Sequence, residues 1–402
     1  MNYYNKIDDA YIAELKSQHV RYRTMIQPLD HWENALGECE ADILTSKPAQ
    51  SQQTAGNNIR RSLNISVINA DDKYSPSKNS AFWYNRKFRL WDGVVIGENV
   101  YWQEQGIYYS LTAEEENHVI TISAADKFAA LNGELNTGRC TKPFTTDITA
   151  SDVYVADLIR ETLMLNTGSL PLDPISPIID PYFESAKLYA DIALDAGQFY
   201  GEILTTLAGM FGADCCYDRS GRLNFHRKTV TDRPWWYQHQ GYAWNFTDND
   251  VNIVQGVRRS TTLRAINCVT VMTDNTEGEF GCYTAKNTNP ESPVCVQNVG
   301  EQYPDDPIVY IALGDTTRDT PNEKCRQYAD YLLMQHTQQA LIETFTTVEI
   351  PHLKADDMIL LHGEPRLITS ISTDHHSRLM QLEVCNTAFL PINYETEVIE
   401  SE

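Results

Sequence analysis

The chain has 402 residues, more than one compact domain usually contains, which predicts two to four domains. Hydrophobic residues make up 42% and aromatic residues 10%, and this content excludes wholesale disorder. The 32 basic and 55 acidic side chains give a formal charge of −23, which argues against a surface that binds nucleic-acid phosphates. Such a charge suits a surface that repels DNA or stays soluble at high density.

The chain shows no sign of membrane insertion or secretion. No stretch approaches 18 consecutive apolar residues, and the polar, acidic N-terminus has no apolar signal segment. The nine cysteines are odd in number and form no Cys-x-x-Cys pair. We therefore expect reduced thiols in a protein made in a cytoplasm.

The first part of the chain predicts a lead-in helix over residues 1–20 and a β-barrel domain over residues 21–140. Leu63, Ile65 and Val67 alternate with polar residues, as in a half-buried strand. We interpret Asp92–Gly93 as a bend or hairpin turn, and the polar run 45–58 as an exposed, mobile loop. A short helix, AADKFAALNGEL, should end at Gly133.

Residues 141–250 predict an α+β insert. Val155, Leu158, Ile159 and Leu163 have helical spacing, and a second helix is predicted from Gly197 to Gly212. A hairpin should follow, turning at 218–221.

The β pattern resumes after the insert. We predict a second β-rich region at 251–321, a helix plus a C-terminal β-barrel module at 322–390, and an acidic tail at 391–402. The predicted fold class is mainly β with an α+β insert between two tube-like β-barrel domains.

The sequence gives no candidate catalytic, cofactor-binding or metal-binding residue. Nucleotide-binding and hydrolase motifs do not occur. The spacing of four C-terminal histidines matches no ligand pattern, so we interpret them as surface or core residues; they are His352, His362, His375 and His376. Adjacent Cys215 and Cys216 are interpreted as buried thiols, and Asp248 and Asp250 as a solvated turn.

Two further clusters leave alternatives open. Trp235, Trp236, Tyr237 and Trp244 fit a subunit interface or domain junction, a core, or a platform for glycan stacking. The acids Glu114 to Glu116 fit a solvated hairpin tip, or a negatively charged channel lining in a ring-shaped assembly.

Four segments carry a resemblance to a known family. They are NNIRRSLNISVIN leading to NSAFWYNRKFRLWDGV; VYWQEQGIYYSLTAEEENHVITISAADKFAALNGEL; GQFYGEILTTLAGMFGADCCYDRSGRLNFHR; and HLKADDMILLHGEPRLITSIST. In this order they resemble the baseplate-hub, or tail-tip hub, proteins of tailed bacteriophages and contractile injection systems. The four segments lie within residues 20–385, and each is a structural motif of moderate specificity.

The resemblance implies a non-enzymatic virion protein, made in the host bacterial cytoplasm, with no cofactor. Hub proteins of this type are trimers whose six barrels join a hexameric tail tube to a threefold spike or fibre. The implied partners are two further copies of the chain, a tail tube or distal tail protein, a spike, fibre or tail-tip protein, and a tape-measure protein. DNA would pass through the channel without specific binding.

Several expectations follow from this resemblance. The barrels at 21–140 and about 250–390 should superpose, and part of the acidic charge should line the channel, with Glu114 to Glu116 and Asp356–Asp357 as candidates. The alternatives are a glycan- or receptor-binding tail module, which would use Trp235, Trp236 and Trp244, and a tail-associated lysin.

Overall fold

The computed structural model describes residues 3–36, 40–41, 44–56, 58–69, 72, 74–75, 82, 86–135, 137–165, 170–188, 191–211, 213–227, 242–247, 252–261, 266–273, 281–290, 292, 294–311, 321–338 and 341–386.

The described elements follow one another in this order. The first half contains β1 (Tyr3–Tyr4), α1 (Asp9–Leu15), β2 (Tyr22–Leu29), β3 (Glu40–Ala41), β4 (Leu44–Thr54), β5 (Arg61–Ile68), β6 (Lys87–Ile96), β7 (Asn99–Glu116), β8 (Val119–Asp126), a 3₁₀ helix (Lys127–Ala130), β9 (Phe144–Thr145), α2 (Val155–Met164), β10 (Ile178–Ile179), a second 3₁₀ helix (Pro181–Glu184) and β11 (Ala193–Leu194). The second half contains α3 (Gly201–Met210), β12 (Ala213–Tyr217), β13 (Leu223–Arg227), β14 (Trp244–Phe246), β15 (Ile253–Thr261), β16 (Cys268–Thr273), β17 (Cys282–Lys286), α4 (Val296–Val299), β18 (Ile308–Ile311), α5 (Pro321–Gln338), β19 (Leu341–Val348), β20 (Met358–Leu361), β21 (Glu364–Asp374) and β22 (Leu379–Asn386).

A single large sheet contains strands from both ends of the chain. Within the described residues it has 14 strands, and its main path runs β15-β19-β22-β21-β4-β5-β8-β7-β6-β2-β3. Strand β1 adds to β7, while β20 joins β21 and carries β14 on its other edge. The prediction of a mainly β protein is confirmed. The division into six sequence segments stays a prediction.

Strand β4 connects the two β-rich ends of the chain, and here the prediction of a mobile loop at 45–58 is wrong. Antiparallel β4 pairs with β5 on one side and with β21 on the other, where Gln50 to Thr54 face Asp374 to Ser370. Ala49, Ser51 and Gln53 are buried, so the strand alternates as half-buried strands do. Its inward residues are mostly polar, which is why the sequence pattern did not indicate a strand.

The prediction of a turn at Asp92–Gly93 is also wrong, because both residues lie inside β6 and pair with β7. The hairpin turns later, near Gly97, whose φ is +60°. A Cβ at Gly93 would lie 2.5 Å from Val100 Cγ1 and 2.7 Å from Trp102 Cε3. Glycine at position 93 therefore lets the side chains of β7 pack closely against β6.

The insert has its own core. Ile203, Leu204 and Leu207 of α3 are fully buried beside α2 and the β12–β13 hairpin. The hairpin turns where predicted, with the Gly221 N–H donating to the Asp218 carbonyl at 3.2 Å. Helix α2 begins after Tyr154, and the residues whose helical spacing predicted it, Val155 to Leu163, form its buried face.

Two further cores complete the molecule. Helix α5 packs its Cys325, Ala329 and Leu333 against the three-stranded β17-β16-β18 sheet. The C-terminal strands bury Met380, Leu382 and Val384 on one face. The same core contains residues from the start of the chain, including two from α1; these are Tyr11, Leu15, Val94 and Tyr101. Among the described residues, no helix is both long and apolar enough to cross a membrane.

Candidate functional site

The four segments that carry the family resemblance meet around Arg60, which lies just before β5. Asp126, at the end of β8, accepts the backbone N–H groups of Arg60 at 2.8 Å and Arg61 at 3.0 Å through Oδ2. Its Oδ1 accepts the Phe128 N–H at 3.1 Å and so caps the 3₁₀ helix. Asp126 is fully buried and therefore fixes the backbone from which the Arg60 side chain extends.

The guanidinium of Arg60 connects three parts of the fold. It donates to Asp214 of β12 in the insert, and to Asp356 just before β20 in the C-terminal module. The side chains of Arg60 and Asp214 are 9% and 11% exposed, so the pair is largely shielded from water. We call Arg60, Asp126, Asp214 and Asp356 the Arg60 junction; it holds the two β modules and the insert in one arrangement.

The hairpin turn of the insert is held by further buried cations. Arg61 donates to the carbonyls of Tyr217 and Asp218 at 3.0 and 3.1 Å. Lys127 donates to the Gly221 carbonyl at 2.7 Å, and Arg219 reaches the Pro351 carbonyl at 2.8 Å. The turn is therefore fixed to both β modules through backbone carbonyls, which accept these bonds without adding charge.

A second buried polar site lies where β4 meets β21. Asp92 comes from β6, Glu349 follows β19, and His375 and Arg378 belong to the turn between β21 and β22. His375 Nδ1 lies 3.2 Å from Asp92 Oδ2 and 3.9 Å from Glu349 Oε1. Arg378 Nη1 lies 3.0 Å from Glu349 Oε2 and 3.4 Å from Asp92 Oδ1. We call these four residues the Asp92 cluster.

Burial and mutual charge set the protonation of the Asp92 cluster. Burial alone would raise the pKa of Asp92, but His375 and Arg378 outweigh it and hold that pKa well below its usual range. Burial, together with the nearby Asp92 charge, raises the pKa of Glu349 to about 7. Burial would lower the pKa of His375, but Asp92 and Glu349 raise it overall. Asp92 and Glu349 each offer one carboxylate oxygen here, and His375 offers one ring nitrogen. These three atoms lie within 4.8 Å of one another, close enough to hold a metal ion.

The structure separates the four C-terminal histidines. His375 is 3% exposed and belongs to the Asp92 cluster, while its neighbour His376 is exposed. His352 packs against Tyr11 and Trp244, and burial lowers its pKa to about 4. The sequence could not indicate the role of His375, because its partners come from segments far away along the chain.

The structure also places the adjacent cysteines and one residue of the aromatic cluster. Cys215 and Cys216 are buried thiols, as predicted, and the eight described cysteines form no disulfide bond with one another. Trp244 is only 4% exposed and packs in a core that contains residues from both ends of the chain, which fits the core and the domain-junction alternatives alike. The other members of the two sequence clusters lie outside the described residues; they are Trp235, Trp236, Tyr237, Asp248 and Asp250.

The two acidic candidates for a channel lining differ. Glu114 to Glu116 are exposed at the tip of the β7–β8 hairpin, where Asn117 and His118 have positive φ angles. Asp356 instead pairs with Arg60, and burial raises the pKa of Asp357 to about 6. Asp356 and Asp357 therefore offer little free negative charge, and their place in a channel lining stays a prediction.

The fold of this chain is similar to that of known proteins, although its sequence is not. No protein-family model matches the sequence, and no curated protein matches it significantly. A 43 kDa tail protein of prophage MuSo2 from Shewanella oneidensis is similar in structure, with a TM-score of 0.52, 13% identity, and coverage of 91% of this chain and 98% of that chain. A tail protein from Neisseria meningitidis gives a TM-score of 0.53 at 10% identity, covering 91% and 97%. The chain has the fold of prophage tail proteins.

A third structure agrees. Prophage tail protein gp18 from Listeria monocytogenes has a TM-score of 0.50 at 12% identity, with coverage of 90% of this chain and 94% of the other. These identities are too low to carry over individual residues. The likeness to the phage tail fold extends over nearly the whole of each chain.

Proposed function

We propose that this protein is a non-enzymatic structural subunit of a phage tail tip, or of a phage-like injection particle, located in the virion. The observation that carries the proposal is the structural match to two prophage tail proteins and one further tail protein over at least 90% of each chain. A match of this extent involves the β modules and the insert together, so it concerns the complete arrangement and not one common small domain.

Within the tail tip, we propose a trimeric hub that joins the hexameric tail tube to a threefold spike or fibre. Each chain would supply two β modules, so three chains would offer six similar units to a sixfold tube. The direct pairing of β4 with β21 supports this role, because it places the two modules of one chain side by side. Neighbouring chains would then close the ring through heterologous contacts.

Strand β15 is the proposed place of contact between neighbouring chains. It stands at one end of the large sheet and, among the described strands, pairs only with β19. Its Val254 is 57% exposed. An open strand edge with an apolar side chain suits pairing with a second chain.

The partners in this proposal are two further copies, a tail tube or distal tail protein, a spike, fibre or tail-tip protein, and a tape-measure protein. DNA would pass through the ring without specific binding, because a net charge of −23 repels phosphates. The exposed Glu114 to Glu116 stay candidates for the channel lining.

The oligomeric state of the full chain tests this proposal. Native mass spectrometry and analytical ultracentrifugation should give three times the chain mass of 45.7 kDa. Adding the tail-tube subunit encoded with this protein should give a complex of three hub chains and six tube subunits. A protein that stays monomeric with the tube subunit present, or that releases fragments from bacterial cell walls, would contradict the proposed role.

A further inference from the structure

In the Asp92 cluster three buried polar atoms face one another at one point inside the protein. They are Asp92 Oδ2, Glu349 Oε1 and His375 Nδ1, and within the part of the chain that the structure describes none of them has a partner in good hydrogen-bonding geometry. Two of them lie close enough for an ion pair when His375 is protonated, at 3.2 Å. Buried polar atoms are rarely left in this state, so three facing one another need an explanation.

The opposite atom of each of these side chains is held in place. Thr24 Oγ1 donates to Asp92 Oδ1 at 2.6 Å, and Arg378 donates to Glu349 Oε2 at 3.0 Å. His375 Nε2 lies 2.9 Å from Ser51 Oγ in β4. Metal ligands are oriented in this way, with one atom on the metal and the other bonded to a supporting side chain.

The distances between the facing atoms suit a small divalent cation. Metal–ligand bonds of about 2.0–2.2 Å in a tetrahedral site place the ligand atoms about 3.3–3.6 Å apart. The two separations from His375 Nδ1 are 3.2 Å and 3.9 Å, on either side of that range. Imidazole nitrogen and carboxylate oxygen both bind Zn²⁺ and related transition-metal ions, and a water molecule would take the fourth position.

We propose that Asp92, Glu349 and His375 form a structural site for a divalent transition-metal ion, with zinc as the best fit. The ion would bind one residue from β6, one that follows β19 and one from the β21–β22 turn, next to the pairing of β4 with β21. It would thereby lock the N-terminal strands to the C-terminal strands. This inference is independent of the proposed role in a phage tail.

The test begins with the full chain. Because all three ligand atoms are buried, the protein should be synthesised in medium that contains zinc and then purified without chelators. Elemental analysis should find about one zinc per chain. X-ray absorption should show only nitrogen and oxygen ligands, including a histidine. A protein without metal would mean that a proton neutralises the site, and sulfur ligands would mean that cysteines bind the zinc; either result overturns the proposal.

Substitution of a supporting residue adds a test that does not remove a ligand. Ser51→Ala should weaken zinc binding about 10–100-fold, as loss of a supporting hydrogen bond typically does. Ser62→Ala, an exposed serine on the neighbouring β5, is the matched control and should bind as the original protein does. Equal affinity in the two variants would contradict the assignment of His375 as a ligand.

Discussion

The carboxylate of Asp126 accepts the backbone N–H of Arg60 at 2.8 Å, and this contact sets the position of the Arg60 junction. Asp126 is fully buried and holds the Arg60 backbone, while the Arg60 guanidinium extends away from Asp126. One arginine can then pair with Asp214 of the insert and with Asp356 of the C-terminal module. The relative placement of the two β modules and the insert therefore depends on a few buried charges.

Replacing Arg60 should destabilise the whole fold. Arg60→Met removes the cation shared by Asp214 and Asp356, and breaking such a buried pair costs about 3–5 kcal/mol. The matched control is Arg160→Met, because Arg160 pairs with Asp157 and Glu184 on the surface, where the cost should stay below about 1 kcal/mol. Urea unfolding followed by circular dichroism measures both. Similar midpoint shifts for the two variants would show that the junction contributes little.

Strand β4 should be protected from hydrogen exchange. Because residues 49–54 lie between two strands and residues 50–53 pair with both, their amides should exchange at least about 100-fold more slowly than those of the exposed segment 147–152. Mass spectrometry of peptides from the two segments measures the difference. Fast exchange over 49–54 would support the mobile loop that the sequence predicted.

Asp330 should make the protein less stable as pH rises. Burial raises the pKa of this carboxyl on α5 to about 7, and the nearby Glu323 adds to the effect. A raised pKa means that the folded chain holds a proton that the unfolded chain releases near pH 4. This contribution to stability is complete below that pH and is lost as pH rises through 7. Asp330→Asn should therefore be more stable than the original protein at pH 8, with little difference at pH 5.

The control for this pH effect is Asp157→Asn, because the Asp157 side chain is 63% exposed. Thermal unfolding from pH 5 to pH 8 should give the same pH profile for this variant as for the original protein. An unchanged profile in Asp330→Asn would contradict the assignment of a buried, protonated carboxyl.

The proposed trimer should depend on the edge of β15. Val254→Lys places a charge on this exposed edge and should shift the trimer toward monomers by at least about tenfold in dissociation constant, without changing the unfolding midpoint of the monomer. Met164→Lys is the control, because Met164 is similarly exposed, at 55%, but belongs to the insert. Sedimentation equilibrium compares them. Dissociation by both variants, or by neither, would place the interface elsewhere.

The sequence predicted those elements whose local pattern and tertiary environment agree. Leu63, Ile65 and Val67 alternate and are all buried, and the hairpin around 218–221 has the turn residues that its geometry needs. In the segment around β4 the local sequence pattern and the tertiary environment disagree. Ser51 and Gln53 are polar but buried, and Ser51 Oγ lies 2.9 Å from His375 Nε2, so a pattern based on apolar residues does not detect such a strand.

The Asp92 cluster could not be predicted for a different reason. Asp92 next to a glycine has the local composition of a turn, and Glu349 and His375 follow no known ligand spacing. Their meeting depends on the pairing of β4 with β21, which joins residues more than 300 positions apart. The four family segments, in contrast, were recognised in the sequence, although their convergence on Arg60 was visible only in the fold.

The most direct test of the proposed trimeric hub is cryo-electron microscopy of intact particles that contain this protein. We predict three copies at the tail tip, between the tail tube and a threefold spike or fibre. The N-terminal and C-terminal β modules should alternate around the ring and face the tube as six similar units. A single copy, six copies, or a position on the outer surface of the tail away from the tube would contradict the proposal.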